Sequence, residues 1–336
     1  MTSERKKKIA RIIATWVMTG IMASVFVLDI ITVALANKYV NSLNILPYAN
    51  EKSTTADRIH FLNTANSDCI IIESNGRFAL VDSGEGNNNP RRKTEYKGFN
   101  KEVLDYIKRN CSDKSGKVYF DFILATHMHY DHSGNFASII NDSSISIGKA
   151  YIKKYDEGTF TDTESEAWGN KQIYDEIISA LGNKDIPVIS DLPSVSFDFG
   201  DFSLQFFNTV TPEEAATEGD NANSVGIRLK KGEKSAFLAA DFTKTTGLED
   251  IYGEQIGDID LLKIGHHGYF GSSSKKFLKT LKPEIAICTN YIGKIYPNVK
   301  WNLTMTAKAP ILSTEHRNGI VAEFTESDIL IFENAM

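Results

Sequence analysis

The stretch from Phe120 to Asn135, Phe-Asp-Phe-Ile-Leu-Ala-Thr-His-Met-His-Tyr-Asp-His-Ser-Gly-Asn, constrains this chain more than any other. An apolar, β-rich run over Phe122 to Ala125 stops abruptly at His127, His129, Asp131 and His132. Alternate residues of an extended segment point the same way, so His127 and His129 can pinch one ion at the strand's exit. Asp131 and His132 fall where a helix would begin and face a second ion, with Gly134 permitting close backbone approach. Neutral imidazoles and a carboxylate suit zinc, with manganese or iron held less tightly.

Two later segments repeat the pattern of an apolar strand ending in polar residues. Ala236 to Asp241 ends in a carboxylate able to bridge two ions, and Leu261 to Gly268 ends in His266 and His267. Neighbouring side chains point in different directions, so one of that pair completes the second ion while the other contacts a ligand or the substrate. Which does which stays open. Asp131, Asp241 and His267 are the residues assigned to catalysis as well as to the metal.

The His-x-His-x-Asp-His pattern behind a strand resembles the signature of the metallo-β-lactamase fold superfamily. That likeness implies an α+β fold, a four-layer αββα sandwich, with two divalent metal ions at one edge of the packed sheets. It does not imply β-lactam hydrolysis, since one fold hosts many chemistries. A further histidine usual in that superfamily between the first cluster and the bridging aspartate is missing, the seven histidines standing at 60, 127, 129, 132, 266, 267 and 316. Asp220, Asn221 and Asn223 occupy its place in a segment that resembles two subgroups, hydrolase domains of DNA-uptake channel proteins and teichoic-acid phosphorylcholine esterases. Ser67 to Gly84, Tyr151 to Tyr155 and the region of Asp260 are also similar to the esterases, although no choline-binding repeats follow. Asp68 and Asp82 end early strands as candidates to hydrogen-bond ligating histidines. His316 is a candidate substrate contact, and Trp168, Tyr155, Tyr269, Phe270, Tyr291, Tyr296 and Trp301 are candidates for a cation-binding aromatic wall.

Arg5, Lys6, Lys7, Lys8 and Arg11 precede an apolar run over residues 12–36, long enough to span a bilayer as a helix. Basic residues on this flank predict that residues 1–11 stay cytoplasmic and the rest lies outside the cell. Cleavage near Ala36, giving a secreted protein, is the alternative. Residues 37–57 read as a linker and 58–336 as the hydrolase domain. The first 36 residues carry +3, which leaves −9 for the remainder of a chain whose total is −6. That acidity and the single span disfavour nucleic acid as a partner. Cys69, Cys111 and Cys288 are too scattered for a disulfide framework. Strands and helices alternate from residue 58 onward, as expected of two sheets flanked by helices.

These features predict a single-pass, membrane-anchored extracellular hydrolase that cleaves a small-molecule or cell-envelope phosphodiester with metal-activated water. Hydrolysis of an amide, thioester or lactone, a nuclease serving DNA uptake, and a non-catalytic binding or sensing module are the alternatives. Oligomeric state is not readable from the sequence.

Overall fold

The computed structural model describes the chain apart from residues 1, 2, 50–54, 90–96, 157–163, 165, 166 and 211–218. Side chains alternate between two apolar faces. In Cys69–Ser74, Ile70 and Ile72 enter one core while Cys69 and Ile71 enter another, the period of two of a strand buried on both sides. One sheet runs in the order Ile45–Pro47, Ile329–Glu333, Ile320–Phe324, Asp57–Phe61, Cys69–Ser74, Arg77–Ser83, Val118–Ala125, Ala150–Ile152, Val188–Ile189. Ile145–Ile147 also pairs with Val118–Ala125. The other runs Ile311–Ser313, Ile285–Cys288, Leu261–Lys263, Lys234–Leu238, Gly226–Lys231, Phe202–Phe207, Phe197–Phe199.

Between the sheets lies a core fed from both, with Ile59, Ile70 and Leu124 meeting Leu204, Ile227 and Ile287. The outer face of the first sheet is covered by Asn100–Cys111, Phe136–Asn141 and Asn170–Gly182 through Val103, Ile107, Ile139 and Ile177. That of the second is covered by Leu248–Ile256, Lys275–Leu281 and Pro297–Asn302 through Leu248, Phe277 and Val299. The order helix, sheet, sheet, helix is the expected αββα sandwich. Arg77–Ser83 is parallel to Val118–Ala125, and Lys234–Leu238, Leu261–Lys263, Ile285–Cys288 and Ile311–Ser313 are parallel in turn. Parallel strands deliver their C-terminal ends to one side, the usual place for a site.

Several boundaries differ from expectation. The apolar helix is Ser3–Asn41, and Ile45–Pro47 pairs in parallel with Ile329–Glu333, so much of the expected linker is ordered structure. Pairing at a sheet edge uses main-chain groups, which side-chain polarity does not reveal. Residues 50–54 of that stretch lie outside the described residues. The helix expected to begin at Asp131 and His132 is two pieces, Tyr130–Ser133 and Phe136–Asn141. The longer helix that follows runs Asn170–Gly182, and residues 165 and 166 before it lie outside the described residues. By length and composition the first helix can cross a membrane.

Phe122 is the hub of the inter-sheet core, with ring centroids 5.4 Å from Tyr151, 5.5 Å from Phe199, 6.3 Å from Phe197 and 6.4 Å from Phe206. Phe122→Ala is expected to lower unfolding free energy by about 3–5 kcal/mol, against about 0.5 kcal/mol or less for Val195→Ala at an exposed position. Denaturant midpoints measure both. Equal effects would remove Phe122 from the core's centre.

Candidate metal centre

The strand exits converge at one sandwich edge, where His127, His129, Asp131, His132, Asp241 and His267 are all buried. The loop after Val118–Ala125 is drawn tight by backbone packing. A Cβ on Gly134 would lie 2.6 Å from Gly86 N and 2.5 Å from Tyr130 O, so side-chain-free backbone is required there. Asp82, at φ +55°, accepts the Thr126 N–H and the Thr126 hydroxyl, each at 2.8 Å. Its Oδ2 lies 2.7 Å from His132 Nδ1.

Hydrogen-bond accounting fixes how three rings face. The Thr126 hydroxyl spends its proton on Asp82, so at 3.0 Å it accepts from His127 Nδ1. The Thr289 hydroxyl likewise donates to Asp68 Oδ1 at 2.5 Å and accepts from His267 Nδ1 at 3.1 Å. His132 donates from Nδ1 to Asp82 directly. Each Nε2 therefore points into the cluster, where a bound cation would take the place of its proton. Asp68 is held in turn by the fully buried Lys263 ammonium, which also donates to Ala240 O at 3.0 Å.

The inward atoms fall into two groups that share Asp241. Its Oδ1 is 3.2 Å from His132 Nε2 and 3.7 Å from His267 Nε2, and these two nitrogens are 3.1 Å apart. Asp131 Oδ2 stands 3.5 Å from His267 Nε2. Donors about 2.0–2.2 Å from a tetrahedral ion stand about 3.3–3.6 Å from one another, close to the separations among His132, His267 and Asp241, so these donors fit a divalent metal. The second carboxylate oxygen, Oδ2, is 3.7 Å from His127 Nε2 and 3.9 Å from His266 Nε2. Among the described residues, His127 Nε2, Asp131 Oδ1 and Asn221 Oδ1 are buried without a hydrogen-bond partner, and a cation would satisfy them.

Protonation follows the same convergence. Burial opposes charge on His132, but the Asp241 and Asp82 carboxylates raise its pKa well above the imidazole range. Burial opposes charge on His267 too, and Asp241 and Asp68 push it up to about 9. Burial, then the neighbouring His132 and His129, drops His127 well below that range, leaving it a neutral donor. Burial alone would raise Asp241; the imidazoles of His132, His266 and His267 hold it well below the carboxylate range.

His267 is fully buried and turned to Asp131 and His132, whereas His266, 27% exposed in its side chain, faces Asp241 Oδ2, Asn221 and Tyr269. The pair thus has two surroundings, as expected of adjacent side chains. Asp220 is tied into structure, its carboxylate accepting from Met128 N–H at 2.5 Å and from Asn223 Nδ2 at 2.8 Å. His316 is not brought to the cluster. It lines a cavity of about 680 Å³ between the apolar helix and the domain, together with Asp29, Lys300 and Trp301. Trp168 stacks on His129 at 4.7 Å and Tyr155 packs on Tyr174, while Tyr269, Phe270 and Tyr296 form one cluster of rings. Sequence reasoning missed Lys263, Thr289 and Glu164; Glu164 Oε1 is 2.8 Å from His129 Nε2. Only Lys263, a charge inside an apolar strand, left any signal.

Consecutive His266 and His267 sit at φ +47° and +49°, where a non-glycine residue costs about 1–2 kcal/mol. In metal-free protein, His266→Gly is expected to raise stability by about 1 kcal/mol by relieving that strain. His267→Gly is expected to lower it, because a fully buried ring is lost. Denaturant titration tests both, and destabilisation by His266→Gly would mean that no strain is stored there.

Residues 62–289, more than half of the chain, match the sequence profile of the Metallo-beta-lactamase superfamily. Recombination protein 2 of Haemophilus influenzae is 32% identical over 84 residues, covering 25% of this chain and 10% of that protein. ComE operon protein 3 of Bacillus subtilis is 24% identical over 176 residues, 51% of this chain and 20% of that protein. The chain thus spans a fifth or less of the length of these curated relatives. Among solved structures, the metallo-beta-lactamase fold protein YhfI of Bacillus subtilis covers 80% of this chain and 100% of its own, at 12% identity and a TM-score of 0.47. This chain belongs to the metallo-beta-lactamase superfamily.

Proposed function

We propose that the chain is a membrane-anchored, extracellular hydrolase of a cell-envelope phosphodiester, with phosphorylcholine-type substituents as the leading substrate class. The observation that carries this reading is Asp241, whose Oδ1 lies nearest His132 and His267 and whose Oδ2 lies near His127 and His266. Asp131, His132 and His267 with Asp241 would hold one divalent ion, and His127 with Asp241 the other, joined by His129, whose ring lies 4.8 Å from that of His127. Zinc suits these donors, with manganese or iron as alternatives. Bound there, a metal pair lowers the pKa of a shared water and neutralises charge on the transferred phosphoryl group.

The protein's own residues supply orientation and recognition. Asp82 and Asp68, the latter through Thr289, fix the tautomers of His132 and His267. His266 and Asn221 offer polar atoms beside the cluster. Phe270 and Tyr296 are exposed next to Tyr269, and aromatic faces suit a quaternary ammonium. The residues after 36 carry −9, which suits a zwitterionic headgroup better than a polyanion. A nuclease is the second reading, favoured by the relative named Recombination protein 2. It shares the diester chemistry and differs in the leaving group.

Full-length protein in detergent is expected to bind two divalent ions per chain and to hydrolyse bis-(p-nitrophenyl) phosphate and p-nitrophenyl phosphorylcholine, leaving nitrocefin intact. His129→Ala and Asp241→Ala should each lose metal and at least on the order of 100-fold in rate. Rapid nitrocefin opening with no diester turnover would defeat the substrate assignment, and cleavage of single-stranded DNA in preference to the choline ester would favour the nuclease.

The orientation has its own test. Protease added to intact cells is expected to remove the domain while a tag at Met1 stays protected. Recovery of a chain beginning at Asn37 would replace the anchor with a cleaved signal peptide.

A further inference from the structure

Glu164 lies far from the motif that supplies the histidines, yet its carboxylate is inserted between the two loops that would shape the first ion's half of the centre. Oε1 is 2.8 Å from His129 Nε2, accepts the Asp220 N–H at 2.8 Å, and accepts from Asn170 Nδ2 at 3.1 Å. Glu164, His129, Asp220 and Asn170 are all buried. The backbone is shaped for this side chain. Gly219 has φ +59°, and a Cβ there would lie 1.3 Å from Glu164 Oε2, so any other residue would evict the carboxylate. From the opposite side, the Asp220 carboxylate accepts the Met128 N–H. The segment Gly219–Asn223, which stands where the superfamily pattern has another histidine, is therefore stitched to the His127 to His132 loop at two points.

The remaining contacts on His129 complete its confinement. Trp168 lies on one face of the ring, with centroids 4.7 Å apart and planes 25° apart. An imidazole that donates from Nε2 to a carboxylate keeps its lone pair on Nδ1, and a carboxylate partner raises the basicity of that nitrogen. His127, by contrast, has two hydroxyl groups on its outward nitrogen among the described residues, Thr126 at 3.0 Å and Ser224 at 3.4 Å.

Resting on the metal-centre reading above, we propose that Glu164 is a positioning residue for the first ion. It fixes the tautomer and orientation of His129 and braces the histidine-free loop Gly219–Asn223, compensating for the missing ligand. Glu164 does not itself join the ligand set, and the second ion, among Asp131, His132, Asp241 and His267, does not depend on it.

The test is a zinc titration of metal-free, full-length protein in detergent against a chromophoric chelator, which resolves two affinities. Glu164→Gln keeps the shape and an acceptor but loses the charge, and is expected to weaken the first ion about tenfold. Glu164→Ala should weaken it by up to about 100-fold, the range for partners of metal-binding histidines. In both variants the second ion should stay within about threefold of wild type. Asp82→Asn, which alters the partner of His132, should show the reverse split. A purely architectural role for Glu164 would lower both affinities together, and that result, or two unchanged affinities, would overturn the proposal while leaving the metal centre standing. If Glu164→Ala does not fold, the isosteric Gln variant decides alone. Wild-type protein that binds no zinc would overturn the metal reading itself and this proposal with it.

Discussion

The Asp241 carboxylate is buried among imidazoles on two sides, and the rest of the edge is arranged to make that tolerable. An uncompensated charge in the interior costs several kcal/mol, so a carboxylate there must be answered by cations or strong donors. His132 and His267 answer one oxygen, and His127 and His266 approach the other. Each of the first two is backed by a further buried carboxylate, Asp82 or Asp68, and Asp68 in turn by Lys263. The alternation of acid and base reaches from the centre of the cluster into the strands themselves.

Such a network needs rigid supports, and the two sheets supply them. Asp82, Ala240, His266 and His267, all at strand exits, hold φ between +43° and +55°. Single residues of this kind cost on the order of 1–3 kcal/mol and persist only where the surroundings over-determine them. Parallel strands fully buried on both faces provide that constraint. Crowding at the same exits shows at Gly265, where a Cβ would meet Phe242 O at 2.1 Å.

Much of this was legible in the sequence because strand-exit chemistry is local. A strand followed by His-x-His-x-Asp-His announces its geometry through the period of two, and Asp241, His266 and His267 announce theirs in the same way. Partners contributed from a distance were invisible. Thr289 looks like any strand-end threonine until its hydroxyl is found between His267 and Asp68. Glu164 is one acid in a polar stretch, and no periodicity marks it as buried. Ile45–Pro47 joined the first sheet through main-chain pairing, which its polar neighbours concealed. Rings placed near the site loops can also carry packing, as Trp168 does on His129 and Tyr155 on Tyr174.

The central claim is that one carboxylate divides two metal positions, and anomalous diffraction from zinc-soaked crystals tests it most directly. Two peaks are expected about 3.5–4 Å apart, the spacing of two-metal hydrolytic centres. One should lie among Asp131, His132 and His267, the other beside His127 and His129, with Asp241 touching both. A single peak, or peaks that leave Asp241 without a metal contact, would contradict it.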